Sequence, residues 1–199
     1  MKAKQKWVVG IDEAGRGPLA GPVTVGLVKV SVDFDWELIP GVNDSKKLTD
    51  KKRLEIFKQT KELKREKKLD FAVVSVSAKE IDKTGISNCI KKAISSGIKK
   101  LTLDPKEVFV KLDGSLKAPE EFAQETIIKG DSKEKVIGLA SVMAKVTRDL
   151  YMERISTKYP EYDLAKHKGY GTKFHREMIA KNGLSTEHRV SYCKNINLL

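Results

Sequence analysis

Three apolar runs in this chain end in acids, and that placement is the feature chemistry could use. Trp7-Val8-Val9-Gly10-Ile11 stops at Asp12-Glu13, Val108-Phe109-Val110-Lys111-Leu112 stops at Asp113-Gly114, and the very short Ile127-Ile128 stops at Gly130-Asp131. A phosphodiester under attack gathers negative charge on its entering and leaving oxygens. Hydrolysis without a strong organic nucleophile is therefore well served by two divalent cations ~4 Å apart. Hard cations such as Mg²⁺ take oxygen ligands, a few from carboxylates and the rest from phosphate and water. Asp12, Glu13, Asp113 and Asp131 are the candidate set.

Each acid also has an ordinary reading. Asp commonly closes a strand as a turn residue or opens a helix as its N-cap, and Asp131, which precedes a helical stretch, fits a cap equally well. Asp12 is harder to explain that way. It follows an apolar strand beside a second acid, and a carboxylate there is expensive to bury unless paired or bound to metal. Neighbours in a regular strand point to opposite faces, so either the strand kinks near Gly15 or Glu13 contributes differently from Asp12.

The elements that must position these acids follow from periodicity. Val23 to Val32 is a second strand able to pair with the first as a hairpin. After the polar Asn43-Asp44-Ser45-Lys46-Lys47-Leu48, a helix is predicted with Leu54, Phe57 and Leu63 on one face, and Ser45 as its cap. Leu69 to Val76 reads as a strand. Ser77 and Glu80 have capping-box spacing for a helix carrying Ile86, Ile90, Ala93 and Ile94, weakened but not abolished by Gly85 and Gly97. From Ser132 to about Tyr159 the pattern is helical, with Val136, Leu139, Met143, Val146 and Leu150 at steps of three and four. The remainder, 160–199, is polar and Gly-punctuated around Lys166 to Thr172, then carries a short helix with Phe174, Met178 and Ile179 that Gly183 stops. The predicted organisation is a core over 1–159 with a small helical appendage over 160–199.

Bulk properties narrow the partners. At 199 residues one domain is expected. Lys and Arg number 39 against 27 Asp and Glu, a formal charge of +12 that suits a polyanion such as nucleic acid, or equally a solvated basic surface. Cys89 and Cys193 lack metal-ligand spacing, which excludes a disulfide scaffold or a Cys-based zinc site. No apolar run reaches the ~20 residues of a membrane span, and Met1 to Lys6 carry no signal-like apolar stretch. A soluble, cytoplasmic, monomeric protein is expected. His167 and His188 have no partner at ligand spacing and read as structural.

The motifs also carry a resemblance. Gly10-Ile11-Asp12-Glu13-Ala14-Gly15-Arg16-Gly17-Pro18 is similar to the signature of the ribonuclease HII family. Later blocks follow in the same order: Asn43 to Leu48, Leu112-Asp113-Gly114, Lys129-Gly130-Asp131-Ser132, Ala144 to Asp149, and His167-Lys168-Gly169-Tyr170-Gly171-Thr172. The resemblance implies an α/β, RNase H-like fold: a mixed central sheet flanked by helices, with a small helical C-terminal appendage. It implies a four-acid site of Asp12, Glu13, Asp113 and Asp131, and two Mg²⁺ or Mn²⁺ ions that activate water. The substrates implied are RNA–DNA hybrids and single ribonucleotides in duplex DNA, cut on the 5′ side to leave 3′-hydroxyl and 5′-phosphate ends. The related ribonuclease HIII normally carries a substantial N-terminal domain ahead of this signature, whereas here the signature strand lies within the first residues.

Telling RNA from DNA requires contact with a 2′-hydroxyl. Gly15-Arg16-Gly17 suits that task, since glycines let backbone groups approach a sugar and Arg16 can meet a phosphate. The resemblance gives the same tripeptide the role of ribonucleotide reader, with Tyr170 packing on the following deoxyribose. Lys46 and Lys47 sit in a polar loop suited to phosphate, and Lys145, Arg148 and Lys168 could extend a basic track or simply be solvated. Two other classes share these features: a non-catalytic basic nucleic-acid binder, and an RNase H-fold nuclease or resolvase acting on DNA alone. The glycine-flanked Arg16 argues against the second.

Overall fold

The computed structural model describes residues 5–42 and 48–196. In chain order the elements are β1 (Trp7–Ala14), β2 (Val23–Ser31), α1 (Asp50–Arg65), β3 (Asp70–Val76), α2 (Ala78–Thr84), α3 (Ile86–Lys100), β4 (Val108–Asp113), β5 (Ala123–Ile127), α4 (Gly130–Lys133), α5 (Lys135–Ser156), α6 (Leu164–His167) and α7 (Lys173–Asn182). The five strands form one mixed sheet in the order β3-β2-β1-β4-β5. β1 and β2 make the expected antiparallel hairpin and β3 continues it, whereas β4 and β5 join parallel to β1.

That topology places the acids. Parallel strands finish at the same edge of a sheet, and the register Ile11 opposite Leu112 sets Asp12 and Asp113 side by side. Asp113 in turn stands opposite Ile127, the last residue of β5, from which the chain turns through Lys129 in a left-handed conformation (φ 56°) into Gly130 and Asp131. All three acid-ended runs therefore arrive at one edge.

Each face of the sheet buries its own core. On one side Val9, Ile11, Val25, Leu27, Val110 and Leu112 pack against Cys89, Ile90, Ala93, Ile94 and Ile98 of α3. On the other, Val28 and Val30 meet α1 through Ile56 and Leu63, and α5 through Val136, Ile137, Leu139, Ala140 and Met143. Each fully buried aliphatic side chain contributes roughly 1.5–3 kcal/mol. α5 is wrapped on nearly all sides, which is why its sequence is apolar around most of its circumference. It lies against the strands because β1 and β2 offer glycines: a Cβ on Gly10 would come 2.2 Å from the Val136 carbonyl oxygen, and one on Gly26 2.3 Å from that of Ala140.

Several sequence expectations shift. Gly85, at φ 80° and ψ 150°, breaks the helix begun at the Ser77 cap into α2 and α3. Its backbone lies in a region a continuous helix cannot use. The buried face of α1 is Ile56, Thr60 and Leu63, while Leu54 is exposed. Thr49, not Ser45, caps α1, its hydroxyl accepting from the Lys52 amide at 3.2 Å. Ser45 lies outside the described residues, as do Lys46 and Lys47. β5 starts earlier than the Ile127-Ile128 run, whose second residue is exposed. The long helix is preceded by the separate turn α4, and Leu150 faces outward.

From Pro160 on, Tyr162, Leu164, Ile179 and Cys193 form a third apolar cluster with Leu19, Ala20, Met152 and Ile155. This segment thus packs on α5 and on the loop that follows β1. Two backbone bonds tie it there: Gly21 donates to Glu187 at 2.8 Å and Arg189 to Leu19 at 2.7 Å.

Candidate active site

A cleft of about 300 Å³ opens at the carboxyl edge of β1 and β4, walled by Asp12, Glu13, Gly15, Arg16, Gly17, Asp113, Ser141, Arg148 and Tyr170, among others. β1 runs regularly through Asp12 and Glu13, paired with Gly26 and Val25, so the strand does not kink there. The two acids consequently face opposite ways. Asp12 turns toward α5, where Ser141 hydrogen-bonds its carboxyl, and one of its oxygens accepts the Glu13 amide at 2.7 Å. Glu13 turns to the other face and holds Arg16, with Oε1 at 2.9 Å from Nε and 2.8 Å from a terminal guanidinium nitrogen.

Asp113 accepts the Gly130 amide at 2.6 Å, which locks the end of β4 to the turn carrying Asp131. Asp131 is buried, lies within the first turn of α4 and caps no helix, since α4 and α5 are preceded by Lys129 and Glu134 without side-chain cap bonds. The cap alternative for Asp131 is therefore set aside. It does not line the cleft itself but adjoins Gly130, whose amide Asp113 accepts.

Burial, reinforced by the nearby Glu13 and Asp113 carboxylates, pushes Asp12 up to about 8 despite its Ser141 and Glu13 hydrogen bonds. A carboxyl so crowded resists ionisation until positive charge arrives. Among the described residues neither Asp12 nor Asp113 forms an ion pair with a Lys or Arg. The donor set is all oxygen and suits a hard divalent cation. Among the described residues no three His, Cys, Asp or Glu side chains form a ready-made cage. An ion would accordingly be held by a few carboxylates and completed by water and phosphate oxygens, the usual manner for Mg²⁺.

Gly15, Arg16, Gly17 and Tyr170 line the same cleft as Asp12, Glu13 and Asp113. Gly15 has φ 88°, and a Cβ there would meet the Arg148 Nε at 2.1 Å, so the turn out of β1 needs glycine. Tyr170 is 48% exposed at the cleft wall. Arg16 is engaged by Glu13, an internal partner that sequence reasoning did not supply.

The basic track needs correcting. Arg148 is buried and donates to the carbonyls of Pro22 at 2.9 Å and Ala20 at 3.1 Å, so it braces the loop from inside rather than meeting a phosphate. Burial and the neighbouring Arg189 charge lower it to about 10, which leaves it cationic at neutral pH. Lys145 pairs with Asp149 at 2.8 Å and Lys168 with Glu153 at 2.7 Å. Sequence reasoning missed Ser141, Arg53 at the cleft wall, and Arg189. It also missed the contact between His175 and His188, whose Nε2 atoms lie 3.0 Å apart. Ser141, Arg189 and the histidine pair have no local signature, because each meets residues outside its own element, whereas Arg53 bonds nearby to the Leu48 carbonyl and to Asp50.

A model of the family described as Ribonuclease HII matches residues 9–195. A ribonuclease HII from Caldicellulosiruptor bescii is 44% identical over 191 residues, covering 96% of this chain and 88% of that protein. Among solved structures, the RNase HII of Archaeoglobus fulgidus, determined in complex with PCNA, superposes with a TM-score of 0.73 at 26% identity over 92% of this chain and 93% of that one. The ribonuclease H2 of Pyrococcus horikoshii gives 0.71 at 28% identity, covering 93% of each chain. The mixed five-stranded sheet with flanking helices is the RNase H-like fold these proteins share. Likeness across almost every residue, in sequence and in backbone, places this chain in the ribonuclease HII family, whose members are divalent-metal-dependent ribonucleases.

Proposed function

We propose that this chain cuts the RNA strand of RNA–DNA hybrids, and cuts on the 5′ side of single ribonucleotides in duplex DNA, leaving 3′-hydroxyl and 5′-phosphate ends. The observation that carries the reading is one cleft that unites Asp12, Glu13 and Asp113 with the Gly15–Arg16–Gly17 loop and Tyr170. Two Mg²⁺ or Mn²⁺ ions held by Asp12, Glu13, Asp113 and Asp131 would supply charge neutralisation at the phosphate and a nucleophilic water.

The chain's own groups do the rest. Asp113, anchored by the Gly130 amide, and Asp12, anchored by Ser141 and its neighbour's amide, offer oxygens from rigid strand ends rather than from loops. The Gly15–Gly17 backbone can approach a ribose closely, and Arg16, now on Glu13, is within reach of the same cleft for a phosphate. Tyr170 presents a half-exposed ring for the next sugar. The net charge of +12 draws the duplex in. Monomeric action is proposed. No helix among the described residues is long and apolar enough to cross a membrane.

The test is a labelled DNA duplex containing one ribonucleotide, incubated with Mg²⁺, Mn²⁺ or chelator, with the cut mapped at nucleotide resolution. Cleavage immediately 5′ of the ribonucleotide, abolished by chelator, is expected. Salt-sensitive binding with both strands intact under every metal condition would instead identify a non-catalytic basic binder.

A further inference from the structure

Arg189 belongs to the C-terminal segment, yet its guanidinium is spent on the loop after β1. It is fully buried, with Nε donating to the Gly21 carbonyl at 3.0 Å and its two terminal nitrogens reaching the carbonyls of Arg16 at 2.9 Å, Gly15 at 2.6 Å and Gly21 at 2.9 Å. Its own backbone is strapped to the same loop through Leu19. Among the described residues it has no carboxylate ion pair; the buried charge is balanced by these carbonyl dipoles, helped by the Tyr192 side chain and the field of the Asp82 carboxylate. Such a charge is costly to keep unless the geometry it imposes is used.

That geometry has a consequence for the cleft. In a trans peptide the carbonyl of one residue and the N–H of the next point to opposite sides of the bond, and no peptide here is cis. Turning the Gly15 and Arg16 carbonyls inward to Arg189 turns the Arg16 and Gly17 N–H groups outward. Arg16 and Gly17 are exposed at the cleft wall, whereas Gly15 is buried. Neither N–H donates to a backbone carbonyl among the described residues. A Cβ on Gly17 would meet nothing within 4 Å, so this glycine answers to no packing need of the protein and leaves open space where a ligand would sit.

We propose that Arg189 is a positioning residue for ribose recognition, holding two peptide planes of the Gly15–Gly17 loop so that the Arg16 and Gly17 amides face the 2′-hydroxyl side of the substrate. The inference rests on the ribonucleotide-reading function proposed above. It makes the C-terminal segment part of the reader rather than a cover over it. Lysine cannot replace this side chain, because a single ammonium does not span three carbonyls that a planar guanidinium fork reaches together.

The test compares equilibrium binding, in chelator so that substrate stays uncut, to a duplex with one ribonucleotide and to the all-DNA duplex of the same sequence. Wild type, Arg189→Lys and Tyr162→Phe are measured together with their melting temperatures. Tyr162→Phe loses a bond from the same segment to the Gly183 carbonyl, 3.0 Å long, that touches no part of the reader. Arg189→Lys should keep affinity for the all-DNA duplex and lose its preference for the ribonucleotide by about ten-fold, the worth of one well-aligned hydrogen bond. Tyr162→Phe should melt earlier with its preference intact. Retention of the preference in Arg189→Lys, or an equal loss in both variants, overturns the assignment.

If the wild type itself neither distinguishes the two duplexes nor cuts the ribonucleotide, the functional reading falls and this inference with it. If the wild type distinguishes them and Arg189→Lys does too, only this inference falls. Should Arg189→Lys not fold, the wild-type protein carries the test through its ¹⁵N amide resonances. Arg16 and Gly17 should shift with the ribonucleotide duplex well beyond their shift with the all-DNA duplex, and equal shifts refute the proposal.

Discussion

Acid should loosen the C-terminal segment through His175 and His188. The hydrogen bonds of this pair admit one proton arrangement. Ser185 donates its amide to His188 Nδ1 at 2.9 Å, so His188 carries its proton on Nε2 and gives it to His175 Nε2 at 3.0 Å. His175 must then carry its proton on Nδ1, which donates to the Tyr170 carbonyl at 2.9 Å. Both rings are neutral, and a further proton on either would set two donors against each other. Burial lowers each from an ordinary 6.5 to about 4, with the neighbouring His167 the next lowering influence on each.

Because the unfolded chain binds these protons first, stability is fully present above pH 6.5 and is lost as pH falls toward 4. Between pH 7.5 and 5 the loss works out at about 2 kcal/mol per histidine, hence on the order of 2–4 kcal/mol for the coupled pair. Asp12 runs the other way. Its folded-state value near 8 lies above the unfolded one, so in metal-free protein it favours folding as pH falls across the same window. The wild-type profile alone would hide one behind the other.

The measurement is therefore a difference: urea unfolding of wild type and of His175→Gln/His188→Asn at pH 7.5, 6.5, 5.5 and 5. The variant should be less stable at pH 7.5, and the gap should narrow by about 2–4 kcal/mol at pH 5. A gap constant to within about 0.5 kcal/mol over the window would refute the neutral-pair reasoning.

Other outcomes follow from the same geometry. Asp113→Asn keeps an oxygen for the Gly130 amide but loses the charge, so melting temperature should hold while turnover falls by a factor of about 10² or more; near-normal kcat with Mg²⁺ would remove Asp113 from the site. Tyr170→Ala should reduce kcat/KM on a lone ribonucleotide more than on a long hybrid, and equal losses on both would reject a junction role for that half-exposed ring. Gly15→Ala drives a Cβ into Arg148 at φ 88° and should destabilise by about 1–3 kcal/mol, detected as a lower urea midpoint together with weakened cleavage; an unchanged midpoint would show that the turn relaxes freely.

Much of the candidate site was legible because the pattern that points to it is local. An apolar strand followed at once by acid is a pattern within a few residues, so Asp12, Glu13 and Asp113 could be named from order alone. The hairpin of β1 and β2 was equally readable, since adjacent strands pair by short-range rules. Helix boundaries were less so. Gly85 was judged by a propensity cost that a helix can absorb, whereas its backbone occupies a region that ends one. Leu54 was assigned to the buried face by spacing, but which face a helix buries depends on what lies across from it, and Ile56 and Thr60 face α1's partners instead.

By itself the chain order determined which groups are available: acids at three strand ends, a glycine-flanked arginine after the first, and an excess of positive charge. Only the folded chain decided how they are used. Parallel pairing of β4 with β1 brings acids a hundred residues apart to one edge, strand alternation turns Glu13 onto Arg16 while Asp12 meets Ser141, and burial makes internal braces of Arg148, read from sequence as part of a basic track, and of Arg189, which sequence reasoning did not single out. The physical reason is range: periodicity and turn chemistry act over a few residues, but burial, dielectric surroundings and carbonyl partners for a guanidinium are set by segments that meet only after the sheet has formed.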